Sequence, residues 1–142
     1  MAGEIFDGFR VIGFDLETTG FDIRKERIVE YALIGSDVDG SIINVQSLVY
    51  PEKRIPFEAS NIHGIKDQDV KDAGNFSQHI GEISKIIDGS IIVGHNIIKF
   101  DWKLLEIECL RAGVETPKPR AIIDTLVLSL IHISEPTRRP KI

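Results

Sequence analysis

Hydrophobic and polar positions first fall into a recognisable rhythm at Phe9-Arg10-Val11-Ile12-Gly13-Phe14-Asp15-Leu16-Glu17. On a strand, alternate residues share a face. Arg10, Ile12, Phe14 and Leu16 then point one way, and Val11, Gly13, Asp15 and Glu17 the other. Apolar residues so dominate the run that it reads as a central strand covered on both sides. Thr18-Thr19-Gly20 breaks it. Residues 27–35 and 41–50, rich in Ile, Val, Leu and Tyr, predict two more strands. The Asp39-Gly40 pair between them is a hairpin signal, so the first three strands form an antiparallel meander. Pro51 and Pro56 punctuate the exit.

From Phe76 the period changes. Phe76, Ile80, Ile83 and Ile87 step by four, three and four, one face of a helix, with Asn75 as its N-cap and Asp88-Gly89 as its end. Residues 91–94 form a short buried strand. A second helix over residues 98–112 turns Phe100, Leu104, Leu105 and Ile107 inward and stops at Gly113. After the stiff loop at Pro117 and Pro119, residues 121–123 begin a fifth strand. This order predicts an α/β fold: a mixed five-stranded sheet, three antiparallel strands and then parallel ones, flanked by helices.

Composition narrows the class. At 142 residues, 42% hydrophobic and 27% charged, the chain suits one globular domain and excludes disordered, collagenous and disulfide-built classes. The single cysteine, Cys109, cannot bridge internally, which suits a reducing compartment. No apolar run reaches the roughly 20 residues of a membrane span, and no secretory signal is visible, so a cytoplasmic location without a membrane partner is expected. Net charge is −5, and setting aside the basic tail leaves residues 1–125 at −7. That argues against a passive basic coat for nucleic acid; an enzyme meeting phosphates through bound cations remains open.

The candidate chemistry lies in the acids. Asp15 and Glu17, two apart near a strand end, share a face beside Gly13. Two such anions raise each other's pKa unless a cation intervenes, and hard divalent ions accept such oxygens. A solvated strand end is the plainer alternative. Asp101 is either a helix first-turn acid favoured by the dipole or a third carboxylate, because the fourth strand is predicted beside the first.

Phe14-Asp15-Leu16-Glu17-Thr18-Thr19-Gly20, followed about 80 residues later by His95-Asn96 and Phe100-Asp101, resembles the first two motifs of the DEDDh 3′→5′ exonucleases. This group includes the proofreading epsilon subunit of bacterial DNA polymerase III and ribonuclease T. Asn61-Ile62-His63-Gly64-Ile65 and Ile123-Asp124-Thr125-Leu126 also match its patterns, so the resemblance covers residues 8–127. It implies a ribonuclease-H-like fold and hydrolysis of terminal phosphodiesters on single-stranded DNA or RNA 3′ ends, releasing nucleoside monophosphates. Asp15, Glu17 and Asp101 match ligands of two Mg²⁺ or Mn²⁺ ions, which in such sites stand about 3.5–4 Å apart. Leu16, the Thr18 backbone and His63 match positions bordering the terminal nucleotide, and Asn96 a substrate-side or turn-stabilising one. A polymerase subunit is an implied partner.

His63 is alternatively a turn cap, His95 a brace for the loop before Asp101, and Asp124 a holder of backbone groups. Asp37 and Asp39 belong to the hairpin, His79 to a solvated helix face, and Trp102 and Phe100 to packing.

The third family motif, His-(four residues)-Asp, which supplies the general base and a fourth carboxylate, has no counterpart: five positions beyond His132 stands Thr137. Residues 128–138 (LSLIHISEPTR) look like the translation of a sequencing adapter. Residues 1–127 are therefore expected to be an exonuclease domain lacking its third motif and last helix, and residues 128–142 a read-through tail. Loss of a base typically costs 10²–10⁴ in rate, so this chain is expected to be nearly inactive and marginally stable. The alternatives are an RNA-trimming exoribonuclease and a non-catalytic nucleic-acid-binding form of the fold.

Overall fold

Five strands form one sheet in the order β3-β2-β1-β4-β5 in the computed structural model, which describes residues 8–127. The expectation for residues 128–142 lies outside the described residues. β1 (Val11–Thr18), β2 (Ile28–Ser36) and β3 (Ile42–Leu48) are the antiparallel meander, its β2–β3 turn closed by the Asp37 carbonyl accepting from the Gly40 N–H (2.9 Å). β4 (Ile91–Gly94) runs parallel to β1, and β5 (Ala121–Asp124) parallel to β4. This is the ribonuclease-H-like mixed sheet that the pattern of apolar positions and the family resemblance imply.

Strand β1 departs from expectation on one face. Ile12, Phe14 and Leu16 are buried, but Gly13 and Asp15 are exposed. Polar Asp15 and Glu17 make the second face unsuited to an apolar cover, so the centre of the sheet is dry on one side only.

The dry face carries the core. α3 (Phe76–Ile87) contributes Phe76, Ile80, Ile83 and Ile87, as the period requires, and the Gln78 side chain accepts from the N–H of its N-cap, Asn75 (3.0 Å). α4 (Trp102–Ala112) begins later than the period suggests and turns a different set inward. Trp102, Leu104, Leu105, Glu108 and Cys109 are buried, while Phe100 and Ile107 are half-buried. Trp102 packs edge-on against Phe14, ring centroids 6.0 Å apart. His79 is not a solvated face residue: it hydrogen-bonds the Tyr31 hydroxyl (2.9 Å) and the Ala73 carbonyl (2.6 Å).

Residues 57–70, assigned no element from the sequence, hold two short helices, α1 (Phe57–His63) and α2 (Asp67–Val70). They are too short to be stable alone. A second small core of Val29, Ile55, Ala59, Ile65 and Val70 seats them. Among the described residues no helix is long and apolar enough to cross a membrane.

Glu108, 1% exposed, ties α4 to the start of β2. Its Oε1 accepts from Arg27 Nε (2.8 Å) and Arg111 Nη1 (3.3 Å), and its Oε2 from the Ile28 N–H (3.0 Å). Arg111 also donates to the Glu26 and Arg24 carbonyls. Removing the Glu108 carboxylate leaves the buried Ile28 N–H without its acceptor and two part-buried guanidiniums with fewer partners, at a cost of roughly 1–3 kcal/mol. Glu108→Ala is therefore expected to lose that much in urea denaturation and Glu108→Gln less; a loss below about 1 kcal/mol for the alanine variant would show that the network does not hold the loop.

Candidate active site

Three carboxylates reach the site from two directions. Asp15 and Glu17 stand on β1, opposite Ala32 and Glu30 of β2. The parallel pairing of β4 with β1 ends at Val93 and Gly13, so the chain leaving Gly94 turns beside Phe14. A Cβ on Gly94 would come within 2.9 Å of the Phe14 carbonyl, so glycine permits this close approach. Asn96 then takes a left-handed conformation (φ 56°), one that asparagine tolerates. A π-helical turn, Ile97–Asp101, follows and delivers Asp101 with its side chain buried. Such wide turns are frequent at functional sites.

Asp124, at the end of β5, holds this turn in place. Its Oδ1 accepts from the Asn96 and Leu126 N–H groups (both 2.9 Å) and its Oδ2 from the Ile98 N–H (3.1 Å). Burial pushes this carboxyl up, but the backbone donors outweigh it and hold the pKa below the ordinary range. Asp124 thus does the backbone work expected of it. Asn96 stabilises the turn through its backbone. His95 is exposed and shares a hydrogen bond between Nδ1 and the Thr125 hydroxyl (3.1 Å), linking the ends of β4 and β5.

The loop after β1 is as firmly held. The Thr18 hydroxyl donates to the Gly20 carbonyl (2.6 Å). Thr19 donates to Glu26 Oε1 (2.9 Å), and its hydroxyl oxygen accepts from the Arg27 N–H (2.9 Å). His63 closes the other side. Its Nδ1 accepts from the Ile65 N–H (3.1 Å), so Nε2 carries the proton it donates to the Thr18 carbonyl (3.0 Å). The turn-cap role of His63 is therefore present, and the same contact brings α1 against the strand end. Leu16 lies in the core, 6% exposed, so only its backbone borders the site.

The carboxylates feel one another. Burial, then the Asp15 and Glu17 charges, push the Asp101 carboxyl up to about 7 against an opposing backbone hydrogen bond from Leu16. Glu17 is raised by burial, Asp15 and Glu30, with His63 opposing. No salt bridge among the described residues involves Asp15, Glu17 or Asp101. Nor do any three His, Cys, Asp or Glu side chains among the described residues already close to metal-ligand spacing. The donor set nonetheless fits a hard divalent ion: oxygen ligands only, with negative charge that no ion pair among the described residues offsets.

Two neighbours lie outside the sequence candidates. Glu30 becomes visible only through the hairpin register that sets it opposite Glu17. Phe21, 78% exposed, stands 6.4 Å from the Phe100 ring and lines, with Glu17, Thr18, Ile62 and His63, a cleft of about 230 Å³. Phe100 is thus part of a surface aromatic pair at the cleft.

Residues 12–139 match the exonuclease family of the ribonuclease T type. The chain is 30% identical over 116 residues to the DNA polymerase III epsilon subunit of Treponema pallidum (82% of this chain, 53% of that protein). It is 35% identical over 127 residues to the epsilon subunit of Rickettsia felis (84% and 54%). It thus spans about half the length of these relatives. Among solved structures, E. coli exonuclease I in complex with a dT13 oligonucleotide superposes with a TM-score of 0.67 at 21% identity, covering 76% of this chain and 25% of that one. Exonuclease I in complex with the inhibitor BCBP superposes at 0.76, with 19% identity and coverage of 87% and 30%. The chain belongs to this exonuclease family, and its fold is that of the exonuclease I domain.

Because folding raises the Asp101 carboxyl from near 4 to about 7, the folded chain between those values holds a proton that the unfolded chain has released. Stability contributed by this group therefore falls as pH rises through that window. In EDTA, Asp101→Asn is expected to gain stability over the parent as pH goes from 5 to 8, by about 1–2 kcal/mol at the upper end. Thermal melts across that range check it. A difference that does not change with pH would mean Asp101 is not held among like charges.

Proposed function

We propose that this chain is the catalytic portion of a metal-dependent 3′→5′ exonuclease that removes nucleoside monophosphates from single-stranded DNA ends. The observation carrying this reading is the convergence of Asp15, Glu17 and Asp101, uncompensated by any cation among the described residues, beside a cleft with an apolar rim. Family membership supports hydrolysis of a nucleic acid end. The dT13 oligonucleotide bound by E. coli exonuclease I favours single-stranded DNA over RNA.

Asp15, Glu17 and Asp101 would hold Mg²⁺ or Mn²⁺. Paired divalent ions in such a site supply the positive charge that offsets the attacking oxygen and the leaving 3′-oxygen together. The residues themselves do the positioning. The Gly94 approach and the Asp124 clamp set Asp101 against β1, so its distance from Asp15 depends on backbone hydrogen bonds, not on a flexible side chain. The His63 bond to Thr18 keeps the strand-end loop and α1 together, fixing the cleft where the terminal nucleotide would lie, with the backbones of Leu16 and Thr18 along one side. Phe21 and Ile62 offer that nucleotide an apolar rim.

Both ring nitrogens of His63 are engaged, so it is not the general base. With no His-(four residues)-Asp pair in the sequence, turnover by this chain is slow, lower by about 10²–10⁴ than that of a complete site. Epsilon-like relatives make a polymerase a candidate partner, and a cytoplasmic setting agrees with the lone buried Cys109.

The reading is tested by calorimetric titration with Mg²⁺ and Mn²⁺ and by release of labelled mononucleotide from a 3′-end-labelled single strand in long incubations. Saturable metal binding and EDTA-sensitive release are expected, both abolished in Asp15→Ala. Equal metal binding and release by that variant would overturn the assignment.

A further inference from the structure

Two further depressions lie on the face of α1 turned away from the carboxylate cleft. One, of about 670 Å³, lies across α1 and shares Pro56 with the cleft; Arg54, Phe57, Asn61 and Lys66 line it. The other, of about 390 Å³, shares Arg54 and Asp67 with the first and adds Tyr50, Lys53 and Lys71. The two outer depressions adjoin each other, and Pro56, at the N-terminal end of α1, is the residue shared with the cleft.

Its charge is opposite to that of the molecule. In a chain of net charge −5, the two outer depressions are lined by four cations against one acid, Asp67. The Asp67 Oδ1 is already occupied by the Ile55 N–H (2.8 Å), and nearby Asp69 accepts from the Lys66 N–H (2.9 Å). Among the described residues Arg54, Lys66 and Lys71 enter no ion pair, which is also true of Lys25, Lys85, Lys99 and Arg120; what sets the three apart is that they line adjoining depressions. A protein with surplus acid leaves these three cations uncommitted side by side. Set among them are exposed rings: Phe57, 77% exposed, and Tyr50, 40% exposed. Cations that track a backbone, interleaved with aromatic faces on which bases stack, are the composition that binds single-stranded nucleic acid without reading its sequence.

We propose that this strip, from Phe57 and Arg54 through Lys66 to Lys71, binds the nucleotides 5′ to the terminal one on a single DNA strand whose 3′ end lies at the carboxylates. The proposal rests on the exonuclease reading for the direction of the strand. On a surface otherwise acidic, the strip supplies the attraction that holds a substrate longer than one nucleotide, and Phe57 receives the first base beyond the cleft. The epsilon-type motifs assign no residue of this strip.

Fluorescence anisotropy separates the two ideas. A labelled thymidylate trinucleotide and decanucleotide, each with a hydrolysis-resistant terminal phosphorothioate, are titrated in Mg²⁺ across a range of NaCl concentrations. The decanucleotide is expected to bind at least about tenfold tighter, since each stacked base is worth roughly 1–3 kcal/mol. Arg54→Ala combined with Lys66→Ala should flatten the salt slope of the decanucleotide by about 1.4, at about 0.7 for each phosphate that is no longer neutralised, and change that of the trinucleotide, which reaches only the start of the strip, by less. Phe57→Ala should weaken the decanucleotide about fivefold or more without changing that slope. All three side chains are exposed, and matching melting curves verify that the variants fold. Equal affinity for both lengths, or equal weakening of both by the variants, overturns the strip. Failure of the carboxylate reading looks different: Asp15→Ala would leave trinucleotide binding intact while the Arg54 and Lys66 dependence of the longer strand persists.

Discussion

Three like charges held within reach of one another, with no ion pair to any of them among the described residues, set the terms for the rest of this molecule. Carboxylates left to themselves separate or take up protons. Here Asp15 and Glu17 are fixed by a central strand, and Asp101 is fixed by a turn whose N–H groups are gripped by Asp124. Burial first, and that conflict second, raise the Asp101 carboxyl. The repulsion among these carboxylates is the same interaction that a divalent ion would relieve, so stability and metal binding would be coupled through one group of atoms.

Rigidity around the site follows from this constraint. The loop leaving β1 is cross-linked by Thr18, Thr19, Glu26 and Lys53, and is tied to α4 by Arg111 and the buried Glu108. His63 fastens α1 to the same strand end through the Thr18 carbonyl. Burial contributes less on the sheet face bearing Asp15, where Gly13 and Asp15 are exposed. Polar cross-links therefore carry a share of the ordering that a two-sided core would otherwise supply.

Charge is partitioned over the surface in a way that a net value hides. The acid surplus disfavours general attraction to nucleic acid, while Arg54, Lys66 and Lys71 line adjoining depressions beside exposed Phe57. In the proposed binding mode, a strand is drawn to a line, not to a face, and the line leads to the carboxylates.

Much of the fold was legible because period and punctuation are local. The steps Phe76, Ile80, Ile83 and Ile87, the Asp-Gly turn and the short run at 91–94 each fixed an element within a few residues. Asp15, Glu17 and Asp101 were legible as motif residues, since their order along the chain carries the pattern. What stayed hidden depends on contacts between distant segments. Helices α1 and α2 exist because a small core of Val29 and Ile55 receives them. His79 is bonded because Tyr31 arrives from another element, and Glu108 is inward because Arg27 is there to meet it. The π-helical turn that shifts Trp102 into the core in place of Phe100 answers to Gly94 passing against Phe14 and to the Asp124 clamp, neither of which has a periodic signature. Sequence alone determined the five strands, the two longer helices and which acids could act. Tertiary structure decided which of those groups meet, because charge, burial and hydrogen bonding depend on distance through space, and residues 15 and 101 acquire theirs only once the sheet has closed.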